Sequence, residues 1–213
     1  MGFVPVGVAL CFLPAGLGLW SQGLQPLPLP SRLLALALGL MLLEQAHMAR
    51  VDVKQVLTAR RLGSTPRLER FTAVLAATIL GELGGFYLAA AGWLGLGMMT
   101  ILVSLLGFNL FANGRFEGQA FHPSGPRHRL DVIAIDLVAL GLALLWLLDW
   151  GRMAVASLLL GVTLAYGVAK LYAYATARVS LSELPRTPLP PTASAVHIAH
   201  AAQQHPQPAQ QNR

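Results

Sequence analysis

Hydrophobic positions in this chain fall into long uninterrupted runs separated by short polar segments, a pattern that is neither the alternation of a strand nor the narrow stripe of a soluble helix. Phe3 to Trp20 carries no charge, and at the rise of an α-helix it extends about 27 Å, just enough to cross a hydrocarbon layer. The spacing predicts a helix over 3–20, kinked at Pro14. No basic segment precedes it and no A-x-A-like site stands before Ser21, which favours a retained helix over a cleaved signal peptide. Gln22 to Pro30 (QGLQPLPLP) predicts a non-helical external loop, because its prolines remove donors and push their predecessors extended.

Ser31 is a good N-cap for a second helix over 31–49. Its apolar run ends at Leu43, too soon to span, so the helix must carry Glu44, Gln45 and His47 into the bilayer. Beyond Arg50 the helix continues, with Ala49, Val53, Val56 and Leu57 on one side and Arg50, Lys54 and Arg61 on another. Gly63 predicts its stop and Thr65-Pro66 the next start. A third helix covers 67–91, Gly92 to Gly97 a tight turn, and a fourth helix 97–112. Asn113 to Arg129 (NGRFEGQAFHPSGPRHR) reads as a polar loop. A fifth helix covers 130–148 and a sixth 153–175, and the Pro, Gln, Ser and His composition of 179–213 predicts a disordered tail.

Composition fixes the class. Hydrophobic residues make up 55% of the 213, charged residues only 11%, and the mean hydropathy is +0.59; a soluble domain of this size needs more polar surface. The expectation is an all-α integral membrane protein with six spans. The net charge of +6 would suit nucleic acid if the basic residues formed one face, but they lie in short segments between apolar runs. With six spans, every Lys and Arg except Arg32 and Arg152 falls on one side. The positive-inside rule then places both termini in the cytoplasm of a plasma or internal energy-transducing membrane, with no nucleic-acid partner. Trp20, Trp93, Trp146 and Trp150 all fall at predicted external helix ends, as an aromatic belt would. The single cysteine, Cys11, leaves no disulfide or thiolate metal site.

Candidate chemistry is sparse. Glu82 is expected near the middle of the third helix, where a carboxyl is costly to ionise; it reads as a proton or cation site, or as a neutral acid bonded to a neighbour such as Thr78. Beside it runs a column of small residues, Ala73, Ala77, Gly81, Gly85 and Ala89, that would let another helix approach closely. Glu44 and His47 form an E-x-x-H pair of the kind di-iron bundles use twice. Occurring once, it reads more simply as an interfacial acid and histidine, and haem ligation by His47 would need a second histidine. Asp136, Asn109, Glu44, His47 and Lys170 are expected at similar depth, lining one polar cavity or making separate interhelical bonds. Asp131 suits the dipole of its own helix start.

Arg50, Lys54, Arg60, Arg61, Arg127 and Arg129 are candidates for contact with anionic headgroups. His197, His200 and His205 are set too irregularly for a metal site. Two six-helix enzyme families are excluded by their chemistry: Ser104 lies in LVSLLG, not the G-x-S-G of a rhomboid-like protease, and LDVIAID lacks the clustered aspartates of a CDP-alcohol phosphatidyltransferase. No inverted repeat is visible. The sequence therefore points first to a non-enzymatic accessory, assembly or scaffold component that packs against other membrane proteins. A proton-coupled transporter using Glu82 and Asp136 comes second, and a cofactor-binding enzyme centred on Glu44 and His47 third; which cofactor, if any, is not legible.

Overall fold

The computed structural model describes residues 3–117 and 120–182. The chain divides into two compact units, Met1–Ala169 and Lys170–Arg213, and the architecture below is that of the first. Its helices are α1 (Phe3–Cys11), α2 (Leu13–Leu24), α3 (Leu29–Leu62), α4 (Pro66–Ala90), α5 (Leu94–Phe111) and α6 (Leu130–Leu147), followed by α7 (Arg152–Ser182), which runs on into the second unit. Between α5 and α6 lie a two-stranded antiparallel hairpin, β1 (Arg115–Glu117) and β2 (Ala120–His122), and a 3-10 turn, Pro126–Arg129. Among the described residues six helices are long and apolar enough to cross a membrane, α1 and α2 counting as one stretch.

The break between α1 and α2 falls at Phe12, two residues ahead of Pro14, whose ring cannot donate to the preceding turn. Phe12 turns inward and meets Phe86 of α4 edge-on, with ring centroids 5.9 Å apart. Two boundaries differ from expectation. Helix α2 continues to Leu24, and α3 begins at Leu29 with Pro28 as its N-cap and Pro30 in its first turn. The expected loop over Gln22–Pro30 thus shrinks to four residues, and Ser31 lies inside the helix. Proline is tolerated in a first turn, where its missing N–H has no partner to lose.

The α3–α4 connection forms as its residues predict. Arg60 and Arg61 occupy the last turn of α3, where cations suit the helix dipole, and the Thr65 hydroxyl accepts from the Leu68 amide at 3.2 Å to cap α4. The α4–α5 turn is shorter than expected. Gly92, at φ 97°, provides the left-handed residue that ends α4, and α5 starts at Leu94, so Gly95 and Gly97 belong to a helix.

That early start places Gly97 against Gly85. A Cβ built on Gly85 would stand 2.8 Å from the Gly97 carbonyl oxygen, and one on Gly97 would stand 2.6 Å from the Ala89 amide nitrogen. Helices α4 and α5 are therefore in backbone contact. The small-residue column contributes only its later members: Gly85 and Ala89 are buried and Gly81 faces Ser104, whereas Ala73 and Ala77 are exposed. Residues four apart drift by about 40° per step around a helix, so the column spirals away from α5 toward its start. Ala77 is removed from the packing set for that reason.

Replacing Gly85 or Gly97 with Ala should lower stability by roughly 1–3 kcal/mol, because the neighbour is backbone and cannot yield as a side chain does. Ala77→Leu should be silent. Thermal unfolding followed by circular dichroism in mild detergent checks both, and equal effects at Gly85 and Ala77 would contradict this packing.

Candidate functional site

The polar chemistry gathers at the end of the bundle that holds the α3–α4 turn, under a lid made by the hairpin. Phe71, early in α4, is the centre of that lid. Its ring lies 5.8 Å from Phe108 of α5, 5.5 Å from Phe116 and 5.3 Å from Phe121, all edge-on. Phe116 and Phe121 are cross-strand partners, which is why both point to one face. Gly114 lies directly against the Phe121 ring, where any side chain would collide. A segment that reads as a polar loop is in fact anchored by its two phenylalanines.

Arg129, the N-cap of α6, reaches under this lid. It donates from Nη2 to the Gly114 carbonyl at 2.7 Å, and its guanidinium lies 5.1 Å from the Phe108 ring centroid, within cation–π range. Its Nη1 is buried without a hydrogen-bond partner, as is the hydroxyl of Ser124. Two acids are withdrawn from the surface: Asp52 on α3 is half-buried and Glu82 of α4 is only 3% exposed. A second polar contact joins α5 to α6: Asn109 Nδ2 donates to Asp136 Oδ2 at 2.8 Å, and Asp136 is buried.

Several expectations are corrected here. Thr78 is not the donor to Glu82, since its hydroxyl donates to the Val74 carbonyl of its own helix at 3.0 Å. Of the residues expected to line one polar cavity, the structure joins Asn109 to Asp136. His47 is exposed and Glu44 half-buried on a different helix, while Lys170 belongs to the second unit. The E-x-x-H pair does not converge with other ligands; among the described residues no group of three His, Cys, Asp or Glu side chains is placed to hold a metal ion. Arg50, Lys54, Arg60, Arg61 and Arg127 are exposed, whereas Arg129 is withdrawn from the headgroup set by its inward contacts. Trp146 leaves the aromatic belt, being 5% exposed with Arg152 over its ring at 5.3 Å. The tail beyond residue 182, with His197, His200 and His205, lies outside the described residues.

Asp52 and Gln22 are the side chains that sequence reasoning missed. Asp52 lies in a strongly charged stretch, and only its helical spacing from the buried Ala49, Val56 and Ala59 marks it as inward. Gln22 is buried and donates from Nε2 to the carbonyls of Ala89 at 3.0 Å and Ala90 at 2.6 Å. It thereby satisfies the open end of α4, a role hidden by the prolines that follow it. No family model, curated protein or solved structure matches the chain.

Removing the donor from the buried Asp136 should cost roughly 1–3 kcal/mol, so Asn109→Ala should be destabilising by that amount. In an Asp136→Ala background the same substitution should cost much less. A double-mutant cycle on unfolding in detergent measures the coupling, and additive effects would mean the 2.8 Å contact carries no energy.

Proposed function

We propose that the chain is an integral membrane protein of six spans with both termini cytoplasmic, acting as a non-enzymatic accessory or assembly component that docks onto another membrane protein through α7. The observation that carries this reading is the state of α7. Its first turns are anchored by the buried Val155 and Ala156, but no residue between 157 and 169 is buried. Along that stretch Ser157, Gly161, Ala165 and Ala169 recur every four residues and are all exposed. Small residues at this spacing let a neighbouring helix reach van der Waals contact with the backbone, the main source of helix association in lipid. On α4 Gly81, Gly85 and Ala89 are taken up by α5; on α7 Ser157, Gly161, Ala165 and Ala169 all stand exposed. An apolar groove of about 270 Å³ lies between α6 and the first turns of α7, lined by Leu142, Leu145, Trp150 and Leu158 among others.

The charge distribution supports the orientation. Arg50, Lys54, Arg60, Arg61 and Arg127 are exposed at one end of the bundle, where anionic headgroups of an inner membrane would meet them. Trp20, Trp93 and Trp150 stand exposed at the other.

Gly161→Leu or Ala165→Leu should weaken the native complex at least about tenfold, a loss of about 1.4 kcal/mol, while Val162→Leu on the same helix should not. Native electrophoresis from mild detergent reads the complex directly, and three indistinguishable variants would mean that α7 faces lipid alone. Reporter fusions after Asn113 and after Arg213 should both report cytoplasm; one external signal would overturn the six-span orientation.

A further inference from the structure

The corner between α6 and α7 holds a charged pair at the mouth of an apolar groove, and docking through the exposed column of α7 uses neither. Only residues 148–151 separate the two helices. Two of them are left-handed, Asp149 at φ 63° and Gly151 at φ 60°. The Trp150 amide donates back to the Leu145 carbonyl at 2.9 Å, and the Val155 amide to the Gly151 carbonyl at 3.0 Å. Gly151 and Ala154 add little bulk to this side of α7, and between them and Leu142 and Leu145 of α6 the groove of about 270 Å³ opens as far as Leu158. Leu158 is six residues into α7, so the groove reaches roughly 9 Å from the corner along the helix.

Among the lining residues only Trp150 carries a polar side-chain atom. Water needs several polar partners to be held in such a space, so the groove suits an apolar occupant. Its mouth is different. Arg152 follows Gly151 there, with Nε donating to Asp149 Oδ1 at 2.8 Å and making a longer contact of 3.4 Å to the Trp146 carbonyl. The guanidinium lies 5.3 Å from the Trp146 ring centroid. Both polar contacts use Nε and the side chain is 44% exposed, which leaves the two Nη groups available to a ligand; Asp149, 72% exposed, offers its second carboxylate oxygen. A helix seated in the groove would strip water from this pair without returning charge to it. A lipid headgroup that carries one negative and one positive group replaces that water with matching charge. The exposed Trp150, with Trp20 and Trp93 at the same end, sets the corner at the interfacial level where headgroups lie.

We propose that the α6–α7 corner binds one phospholipid with a zwitterionic, primary-amine headgroup: an acyl chain in the groove, the phosphate on the Nη groups of Arg152 and the ammonium on the carboxylate of Asp149. The inference rests on the membrane reading above and is independent of docking through α7. The planar fork of an arginine matches two phosphate oxygens at once, and stacking on Trp146 holds that fork in place before the lipid arrives. An ammonium donates hydrogen bonds to Asp149, which a quaternary amine cannot do. A phosphoethanolamine headgroup therefore satisfies both residues. Phosphoglycerol meets Arg152 but brings no cation to Asp149, and phosphocholine brings a cation without an N–H.

The test is native mass spectrometry of the purified full-length protein titrated with phosphatidylethanolamine in mild detergent micelles. The wild type should form a one-to-one adduct, with phosphatidylglycerol and phosphatidylcholine of the same chains about tenfold weaker, the scale of one charge-assisted hydrogen bond. Arg152→Gln should weaken the adduct by about tenfold, and Arg152→Lys by less. Asp149→Asn keeps the left-handed turn, which Asn adopts readily, and should abolish the preference for ethanolamine over the other two headgroups while leaving binding itself. Ala154 is exposed, so Ala154→Phe fills the groove without entering the core; it should weaken all three lipids and leave the thermal unfolding midpoint of the lipid-free protein unchanged. A wild type without a stoichiometric adduct, equal affinity for the three lipids, an adduct indifferent to Arg152→Gln or Ala154→Phe, or a photo-cross-linker at residue 154 that captures a protein in place of lipid would each overturn the proposal. Gly161→Leu and Ala165→Leu should leave the adduct intact, so loss of the lipid and loss of a docked partner are separate results.

Discussion

The backbone contact between α4 and α5 is the constraint on which the rest of the bundle depends. With Gly85 facing Gly97, and Ala89 beside it, neither helix can rotate about its axis without driving a side chain into the other's backbone. Rotation fixed in this way determines which residues of α4 point elsewhere. Leu75, Ile79 and Phe86 enter the core, Glu82 is buried with them, and Phe71 is aimed at the hairpin. Gln22 then locks the other end of α4 by taking up its last carbonyls. Two glycines without side chains thus settle the directions of several residues with them, through the periodicity of the helix alone.

The two ends of the bundle are closed by different chemistry. At the tryptophan end the turns are short and satisfied locally: Gly92 ends α4, Asp149 adopts a left-handed conformation at φ 63°, and the pair Arg152 to Asp149 at 2.8 Å fixes the α6–α7 corner. At the opposite end eighteen residues separate α5 from α6, and aromatic packing closes them. Phe71 holds Phe116 and Phe121, and Arg129 bonds back to Gly114. An arginine placed there serves two purposes at once. It ties down an irregular segment through the Gly114 carbonyl and lies over the Phe108 ring.

What could be read from the sequence was what periodicity and hydropathy control. The six apolar stretches, the stop at Gly63 and the helix start at Thr65-Pro66 all followed from local rules. Boundaries governed by proline were misplaced, because Pro28 and Pro30 disrupt a helix interior but are accepted at a helix start. The hairpin was hidden for a different reason. Its strands are three residues long, and their stability comes from Phe71, more than forty positions earlier. Asp52 was masked by its neighbours, since in a run holding Arg50 and Lys54 nothing distinguishes one inward charge except the phase of the helix. The pairing of Asn109 with Asp136 required knowing that α5 and α6 are adjacent.

The contrast between α4 and α7 shows why a column of small residues cannot be interpreted without its surroundings. Both helices repeat small residues every four positions. On α4 the early members, Ala73 and Ala77, spiral out and are exposed, while Gly81, Gly85 and Ala89 are filled by α5. On α7 the column begins only one residue after the last buried position, Ala156, and is exposed through Ala169. Apolar side chains along a helix are no guide to partners when lipid is the solvent, because lipid covers them as well as protein does. A strip lacking side chains differs, since acyl chains fill it less completely than a second helix can. The docking proposed for α7 therefore rests on the helix that this bundle uses least.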